Sequence, residues 1–126
     1  MMPLAVLMNR NISSVEANAT LQDVAMKMAE DRVGAVLVRK DGAYQGIVSE
    51  TDVVRRALAA GLNPETSSVD TVMSSPLVTI DVGQTLVEAN EIMSTTNIRH
   101  LVVTERGEVV GIISVRDLVI YFKNRL

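Results

Sequence analysis

The stretch "GIVSETDVVR" at residues 46–55 returns as "GIISVRDLVI" at residues 111–120. In each copy a Gly leads two β-branched residues, which are followed by Ser, two variable positions and Asp. The copies lie 65 positions apart, and the same offset aligns residues 12–58 with residues 77–123 without a gap. An ungapped match of this length indicates a tandem duplication, and two copies are too few for an extended solenoid.

Each copy predicts the same order of elements. In the first, "TLQDVAMKMAED" begins with a capping pair and carries apolar residues at the spacing of an amphipathic helix. The β-branched runs "VGAVLV" and "YQGIVS" flank an Asp-Gly pair that is typical of a hairpin. "ETDVVRRALAAG" predicts a second helix, which ends at Gly61. With the extended piece "ISSV" in front, the order is β-α-β-β-α, and the second copy repeats it from "PLVTI" onward.

We therefore expect an α/β protein (α+β in layer terms) made of two tandem β-α-β-β-α repeats. Residues 1–61 form repeat 1, residues 62–76 a polar and turn-rich linker, and residues 77–126 repeat 2. One repeat is too small to bury much apolar surface alone. Two repeats packed face to face would share a core and a pseudo-two-fold axis.

Composition excludes several classes of protein. The 126 residues include one Phe, two Tyr, one His, no Trp and no Cys, so we expect an aliphatic core and neither disulfides nor a metal site. A net charge of −3 and the scarcity of aromatic rings argue against binding to nucleic acid. No apolar run reaches the roughly 18–20 residues of a membrane helix, and the start lacks the layout of a secretory signal. We expect a soluble cytoplasmic protein.

The duplicated unit resembles a pair of cystathionine-β-synthase-type (CBS) domains, the arrangement called a Bateman module. The resemblance rests on "GIVSETD" and "GIISVRD", on "TVMSSPLVTI" before the second copy and on "NIRHLVV" before its hairpin. It implies a sensor of an adenine nucleotide (AMP, ADP, ATP, NAD or S-adenosylmethionine) rather than an enzyme. The ligand would bind in a cleft between the repeats, and the protein would form a homodimer.

The Ser-x-x-Asp pairs, Ser49 with Asp52 and Ser114 with Asp117, have two compatible interpretations. Each Ser lies where a strand gives way to a helix, so the pair is close to a capping box. The same helix start offers N–H groups to a phosphate, and a carboxylate beside it can accept hydrogen bonds from both hydroxyls of a ribose. A cap that faces a cleft can serve both purposes.

The second copy carries three basic or titratable residues that the first copy lacks: Arg99, His100 and Arg116 stand where the first has Gly, Ala and Thr. Guanidinium groups bind phosphate in a bidentate manner. Neighbouring strand residues point to opposite faces, so Arg99 and His100 can share a site only where the strand twists or ends. A surface Arg and a half-buried strand His are the structural alternatives. The predicted nucleotide site comprises Asp117, Ser114, Arg99, His100 and Arg116, with Asp52 and Ser49 as a poorer counterpart.

The resemblance also places the adenine against the first strand of the repeat. Val78, Thr79 and Ile80 are the candidates, with Ser14 as the equivalent of Thr79. Plain strand packing is the alternative for these residues. Because aromatic rings are scarce, the base would lie between aliphatic side chains.

Two functional hypotheses remain. The first is a regulatory module that needs no cofactor, binds an adenine nucleotide and signals to an effector protein in trans. The second is a dimerisation scaffold of the same fold without a ligand, favoured by the apolar closing helix "DLVIYF". An enzyme is not expected, because the chain has no Walker loop or G-x-G-x-x-G, and Ser114 lacks the tight elbow of a hydrolase.

Overall fold

The computed structural model describes residues 3–123, which fall into two compact units. Unit I comprises residues 13–77, and unit II comprises residues 78–123 together with residues 3–12. Each unit holds one repeat in the predicted β-α-β-β-α order, so the predicted fold class is confirmed. The two-fold arrangement of the repeats stays a prediction.

The regular elements follow the duplication closely. In chain order they are α1 (Leu4–Leu7), β1 (Ser14–Glu16), α2 (Leu21–Asp31), β2 (Ala35–Lys40), β3 (Ala43–Ser49), α3 (Glu50–Asp52) continuing as a π-helical segment (Val53–Leu58), a 3-10 turn (Val69–Thr71), β4 (Thr79–Asp81), α4 (Leu86–Thr96), β5 (His100–Glu105), β6 (Glu108–Ser114) and α5 (Val115–Lys123).

Each unit contains a three-stranded sheet with the second strand of its repeat in the centre, in the orders β1-β2-β3 and β4-β5-β6. The first strand pairs parallel to the central strand, and the third pairs antiparallel to it through the hairpin. The predicted Asp-Gly turn is present, with positive φ at both Asp41 and Gly42, as a type I′ turn requires.

The core of each unit is aliphatic and lies on one face of its sheet. In unit II the buried strand residues pack against α4 and α5. These strand residues are Ile80, Leu101, Val103 and Ile113. The strand register places a second set on the opposite face of the same sheet, namely Thr79, His100, Val102, Ile112 and Ser114. The face opposite the core therefore carries several of the predicted site residues.

The residues that precede each repeat pack in the unit that holds the other repeat. Leu4 and Met8 are buried in the core of unit II, and Val69 and Val72 are buried in the core of unit I. The predicted boundaries assign residues 1–12 to repeat 1 and residues 62–76 to a linker. In the structure both segments contribute apolar side chains to a core, because the helical turn in each presents them to the sheet beside it.

The Gly that opens each signature allows the segment before the repeat to come close to the third strand of the sheet. Residue 9 exchanges two backbone hydrogen bonds with Ile112 (2.8 and 3.0 Å), and residue 74 does so with Ile47 (2.9 and 3.0 Å). A Cβ on Gly46 would lie 2.8 Å from the carbonyl oxygen of Ser74, and a Cβ on Gly111 would lie 2.7 Å from the Sδ of Met8. The segments can reach β3 and β6 only where the strand has no side chain.

The helices after the two signatures differ in type. In unit II, α5 is α-helical from Val115 to Lys123. In unit I the helix changes to π geometry at Val53–Leu58, with the amide of Ala59 donating to the carbonyl of Val54 at 2.9 Å. The sequence predicts one regular helix there. An i→i+5 hydrogen-bond pattern has no sequence signal comparable to the period of an α-helix.

Within residues 3–123, none of the helices combines the length and the apolar character that crossing a bilayer demands.

Replacing each signature Gly with Ala tests the close approach. Gly46→Ala should lower the free energy of unfolding by about 2–3 kcal/mol, and Gly111→Ala by about 1–2 kcal/mol, since overpacking costs of this order are typical. The change at Gly46 costs more because its nearest obstacles include a backbone carbonyl, whereas the nearest atoms at Gly111 belong to the flexible side chain of Met8. Urea denaturation measures both.

Gly83→Ala is the matched control, because a Cβ there meets only a carboxylate oxygen at 3.1 Å. A Gly46→Ala variant as stable as this control would contradict the steric account of the signature.

Candidate functional site

The predicted site residues of the second repeat converge at one end of the unit II sheet. At this end, called the sheet end, β4 and β5 begin, β6 ends and α5 starts. His100 lies directly opposite Ser114 across the β5–β6 pair, and Thr79 pairs with Val102 two residues along β5. Three different strands thus bring His100, Ser114 and Thr79 to the same end and the same face.

Ser114 and Asp117 form the predicted capping box. The Oγ of Ser114 accepts a hydrogen bond from the amide of Asp117 at 3.2 Å. In return, the Oδ2 of Asp117 accepts from the amide of Ser114 at 2.8 Å and from its hydroxyl at 3.0 Å. The structural interpretation of this motif is therefore confirmed, and the box fixes the carboxylate beside the first turn of α5.

The capping box uses only one oxygen of the carboxylate. Both donors of Ser114 bind Oδ2 of Asp117, and within residues 3–123 its Oδ1 has no hydrogen-bond or ion-pair partner. Asp117 is half-buried, so this oxygen is held in place by the cap and stays accessible. It can accept hydrogen bonds from a further group without disturbing the helix start.

Arg99 immediately precedes the first residue of β5. Its carbonyl oxygen accepts a hydrogen bond from the amide of Val115 at 2.9 Å, which ties residue 99 to the first turn of α5. The side chain is exposed, and in the described part of the chain it makes no ion pair. Because Arg99 precedes the strand, the alternation of strand faces does not separate it from His100.

His100 and Arg116 both lie near the start of α5, His100 on β5 and Arg116 on the helix itself. His100 is half-buried on β5 opposite Ser114. Arg116 is exposed on α5 next to Asp117, and neighbouring helix residues project about 100° apart. Arg116 therefore lies in the first turn of α5 without an ion pair to the carboxylate of Asp117, for which none is present among residues 3–123.

The three residues proposed for the base do not behave alike. Val78 and Thr79 are exposed at the start of β4, and Val78 retains 38% of its accessible surface. Ile80 is 1% exposed and packs in the core of unit II. The sheet end therefore includes Val78 and Thr79, whereas the side chain of Ile80 is committed to the core.

Unit I repeats the capping box with nearly the same distances. The Oδ2 of Asp52 accepts from the amide and the hydroxyl of Ser49 at 2.9 and 3.0 Å, and the amide of Asp52 donates to the Ser49 Oγ at 3.2 Å. Gly34 occupies the position of Arg99, and its carbonyl accepts from the amide of Glu50 at 2.9 Å. The two units therefore share this backbone hydrogen bond, but unit I lacks the guanidinium that Arg99 supplies in unit II.

One contact at this position of unit I was missed by the sequence analysis. Arg56 places Nη1 3.9 Å from the Oδ1 of Asp52 and donates to the Oγ of Ser74 at 3.4 Å. The spacing of four residues from an Asp to an Arg on a helix was the available signal. At the equivalent position, 65 residues later, unit II has Tyr121, which is buried in its core.

The start of β1 also differs from the start of β4. Ser13, which aligns with Val78, is 9% exposed and donates its hydroxyl to Asp31 at 2.7 Å. This hydrogen bond, reinforced by Lys27, lowers the pKa of Asp31. The neighbouring Ser14 is half-buried and pairs with Leu37. In unit I, Ser13 thus links the start of β1 to the end of α2, whereas the aligned Val78 of unit II is exposed.

The described residues hold no group of three or more His, Asp or Glu side chains that could bind a metal ion. The chemistry available at the sheet end is therefore that of a carboxylate oxygen, the guanidinium groups, an imidazole, a helix start and a small apolar surface. Such a set can bind a polar organic anion through hydroxyl and phosphate groups.

Comparison with known proteins agrees with this architecture. The family model described as CBS domain matches the chain twice, at residues 5–59 and 69–124. The CBS domain-containing protein YhcV of Bacillus subtilis is 31% identical over 113 residues, which cover 90% of this chain and 80% of YhcV. Several other curated relatives are longer, and this chain spans 18–64% of their length.

Two solved structures are also similar. A proposed signal-transduction protein with CBS domains from Burkholderia ambifaria matches with a TM-score of 0.86 at 30% identity, covering 90% of this chain and 83% of that one. A hexameric CBS-CP12 protein from bloom-forming cyanobacteria matches with a TM-score of 0.87 at 27% identity, covering 94% of this chain and 70% of that one.

The duplicated sequence, the two sheets of identical topology and the double family match lead to the same conclusion. The chain belongs to the family of CBS-domain proteins and contains two CBS domains in tandem, an arrangement that is commonly regulatory.

Proposed function

We propose that the chain is a regulatory module that binds an adenine nucleotide, such as AMP, ADP, ATP or NAD, at the sheet end of unit II without chemical change. The observation that carries the proposal is the unengaged Oδ1 of Asp117 near Arg99 and Arg116, two exposed cations that make no ion pair among residues 3–123. A structural cap alone needs neither the cations nor the accessible oxygen.

The ribose belongs on Asp117. A carboxylate oxygen that faces outward can accept hydrogen bonds from the two hydroxyls of a ribose. The bonds from Ser114 to Oδ2 hold the carboxylate in one rotamer, so little side-chain entropy is lost when the sugar binds. Hydrogen bonds to a charged acceptor are worth about 1.5–3 kcal/mol each, enough to make this contact important for affinity.

The phosphate belongs on the cationic side of the site. Arg99 and Arg116 are exposed beside the first turn of α5, where amide groups and the helix dipole favour an anion. His100 lies opposite Ser114 on the same sheet and would add a donor. The adenine would then contact Val78 and Thr79 at the start of β4, whose side chains are exposed. Asp52, Ser49 and Ser14 form the poorer counterpart in unit I.

Family membership supports a regulatory role, and the relative from Burkholderia ambifaria is a proposed signal-transduction protein. We propose that ligand occupancy is read by an effector protein in trans in the cytoplasm, through a homodimer of this chain. The hexameric state of the CBS-CP12 relative supports self-association. An apolar stripe on α5, formed by Val115, Val119 and Phe122, supports it as well, since these side chains are 37–57% exposed.

The same stripe favours a second candidate, a scaffold that associates through α5 and binds no nucleotide. Leu118 and Tyr121 are buried on the inner side of α5, so this helix is apolar on two sides. The scaffold explains the exposed stripe but assigns no role to Arg99 and the accessible Asp117 oxygen. A ligand screen separates the two candidates.

In the screen, thermal unfolding is measured with AMP, ATP, NAD and S-adenosylmethionine. A ligand at about 100 times its dissociation constant adds about 2.7 kcal/mol of stability, which is a shift of several degrees for a chain of this size. At least one of the adenine nucleotides should raise the melting temperature by this amount. No shift with any ligand at millimolar concentration would favour the scaffold.

Replacing the two equivalent carboxylates tests where the nucleotide binds. Asp117→Ala should weaken binding of the best ligand at least tenfold, because the acceptor for the ribose is lost. Asp52→Ala should change it less than threefold. Each variant loses one capping box of nearly identical geometry, so their losses of folding stability should differ only by the roughly 0.2–1 kcal/mol of the Arg56–Asp52 ion pair. Calorimetric titration measures both affinities, and equal losses would refute a site confined to unit II.

Arg99→Ala tests the position of the phosphate. The variant should bind ATP about tenfold more weakly than the unmodified chain, while its affinity for adenosine should change less than twofold, because adenosine has no phosphate. Lys123→Ala, which removes an exposed cation at the far end of α5, is the matched control. If Arg99→Ala weakens adenosine and ATP by the same factor, residue 99 does not contact phosphate.

A further inference from the structure

We infer that Arg56 weakens nucleotide binding at the unit I counterpart of the nucleotide site, because its guanidinium competes with a ligand for Oδ1 of Asp52. The inference rests on the proposed function and names the residue that determines how the two sites differ. It concerns Asp52, whose capping box matches that of Asp117 but whose second oxygen faces a different neighbour.

One oxygen of the Asp52 carboxylate is used by the capping box, and the other faces a cation of the same unit. Its Oδ2 accepts two hydrogen bonds from Ser49, as Oδ2 of Asp117 does from Ser114. Its Oδ1, the oxygen that a ribose would need, lies 3.9 Å from the Nη1 of Arg56. The Asp52 side chain is 18% exposed, so a sugar has few other directions of approach.

A second contact holds the guanidinium in this place. The same Nη1 donates to the Oγ of Ser74 at 3.4 Å, and Ser74 is fixed to β3 by two backbone hydrogen bonds with Ile47. The Arg56 side chain therefore links Asp52, at the start of the helix, to Ser74, in the segment that pairs with β3. Ordering of the side chain by Ser74 lowers the entropy cost of keeping it beside Asp52.

Unit II cannot form the equivalent contact between a guanidinium and its capping carboxylate. The position of Arg56 is taken by Tyr121, a neutral side chain that is 8% exposed and packed in the core. The position of Ser74 is taken by Asn9. One substitution between the copies thus removes a cation from the carboxylate, and another, Gly34 against Arg99, supplies a cation on the phosphate side.

The size of the effect is modest. The Arg56 side chain is 47% exposed, and ion pairs of this exposure contribute roughly 0.2–1 kcal/mol. Removal of Arg56 should therefore strengthen nucleotide binding at Asp52 by at most about fivefold. An effect of this size is measurable when each site is observed separately.

The experiment is an NMR titration of the full chain with AMP, in which the backbone amides of Ser49 and Asp52 report on unit I and those of Ser114 and Asp117 report on unit II. In Arg56→Ala, the unit I amides should reach half-saturation at an AMP concentration about 1.4- to 5-fold lower than in the unmodified chain. The unit II amides should titrate as before. Adding Asp52→Asn to this variant should abolish the gain.

Arg55→Ala is the control, because Arg55 is an exposed neighbour that makes no ion pair among residues 3–123, and it should leave both sets of amides unchanged. Weaker binding at unit I in Arg56→Ala would overturn the inference, since Arg56 would then assist the ligand. A response equal to that of Arg55→Ala would also overturn it. Silent unit II amides refute the proposed function instead, and silence in both units refutes both.

Discussion

The hydrogen bonds from Ser114 to Oδ2 of Asp117 are the constraint on which the candidate site depends. They begin α5 at a defined residue, and they hold one carboxylate oxygen inward while the other stays accessible. Because β5 and β6 pair His100 with Ser114, the cap also fixes the carboxylate relative to the sheet. A single local motif thus determines the end of a strand, the start of a helix and the position of the carboxylate that we propose for the ribose.

The duplication separates what the fold requires from what a ligand requires. Both units keep the capping box and the glycine that lets the preceding segment pair with the third strand. In both, the first amide of the helix donates a hydrogen bond to the carbonyl of the residue before the central strand. These shared features are structural. The units differ in the side chains around the carboxylate, where unit II has Arg99 and unit I has Gly34 and Arg56. These differences at a shared helix start support the proposal that one copy is specialised for binding.

Much of this architecture is predictable because it arises from local chemistry. The capping boxes, the Asp-Gly hairpin and the 65-residue offset are all visible in the sequence and are present in the structure. The packing of the segments before each repeat was not predicted, because where a short apolar turn packs depends on tertiary contacts. Their sequences do repeat, since Leu4 and Met8 recur as Val69 and Met73 at the same offset. The π-helical segment and the bridge from Arg56 to Ser74 likewise depend on packing between elements distant in sequence.

The most direct test of the central claim is a crystal structure of the full chain with AMP at saturating concentration. The account predicts that the ribose hydroxyls lie within hydrogen-bond distance of Oδ1 of Asp117, with the phosphate beside Arg99 and the two bonds from Ser114 to Oδ2 unchanged. AMP bound without contact to Asp117, or bound only after the capping box has opened, would contradict it.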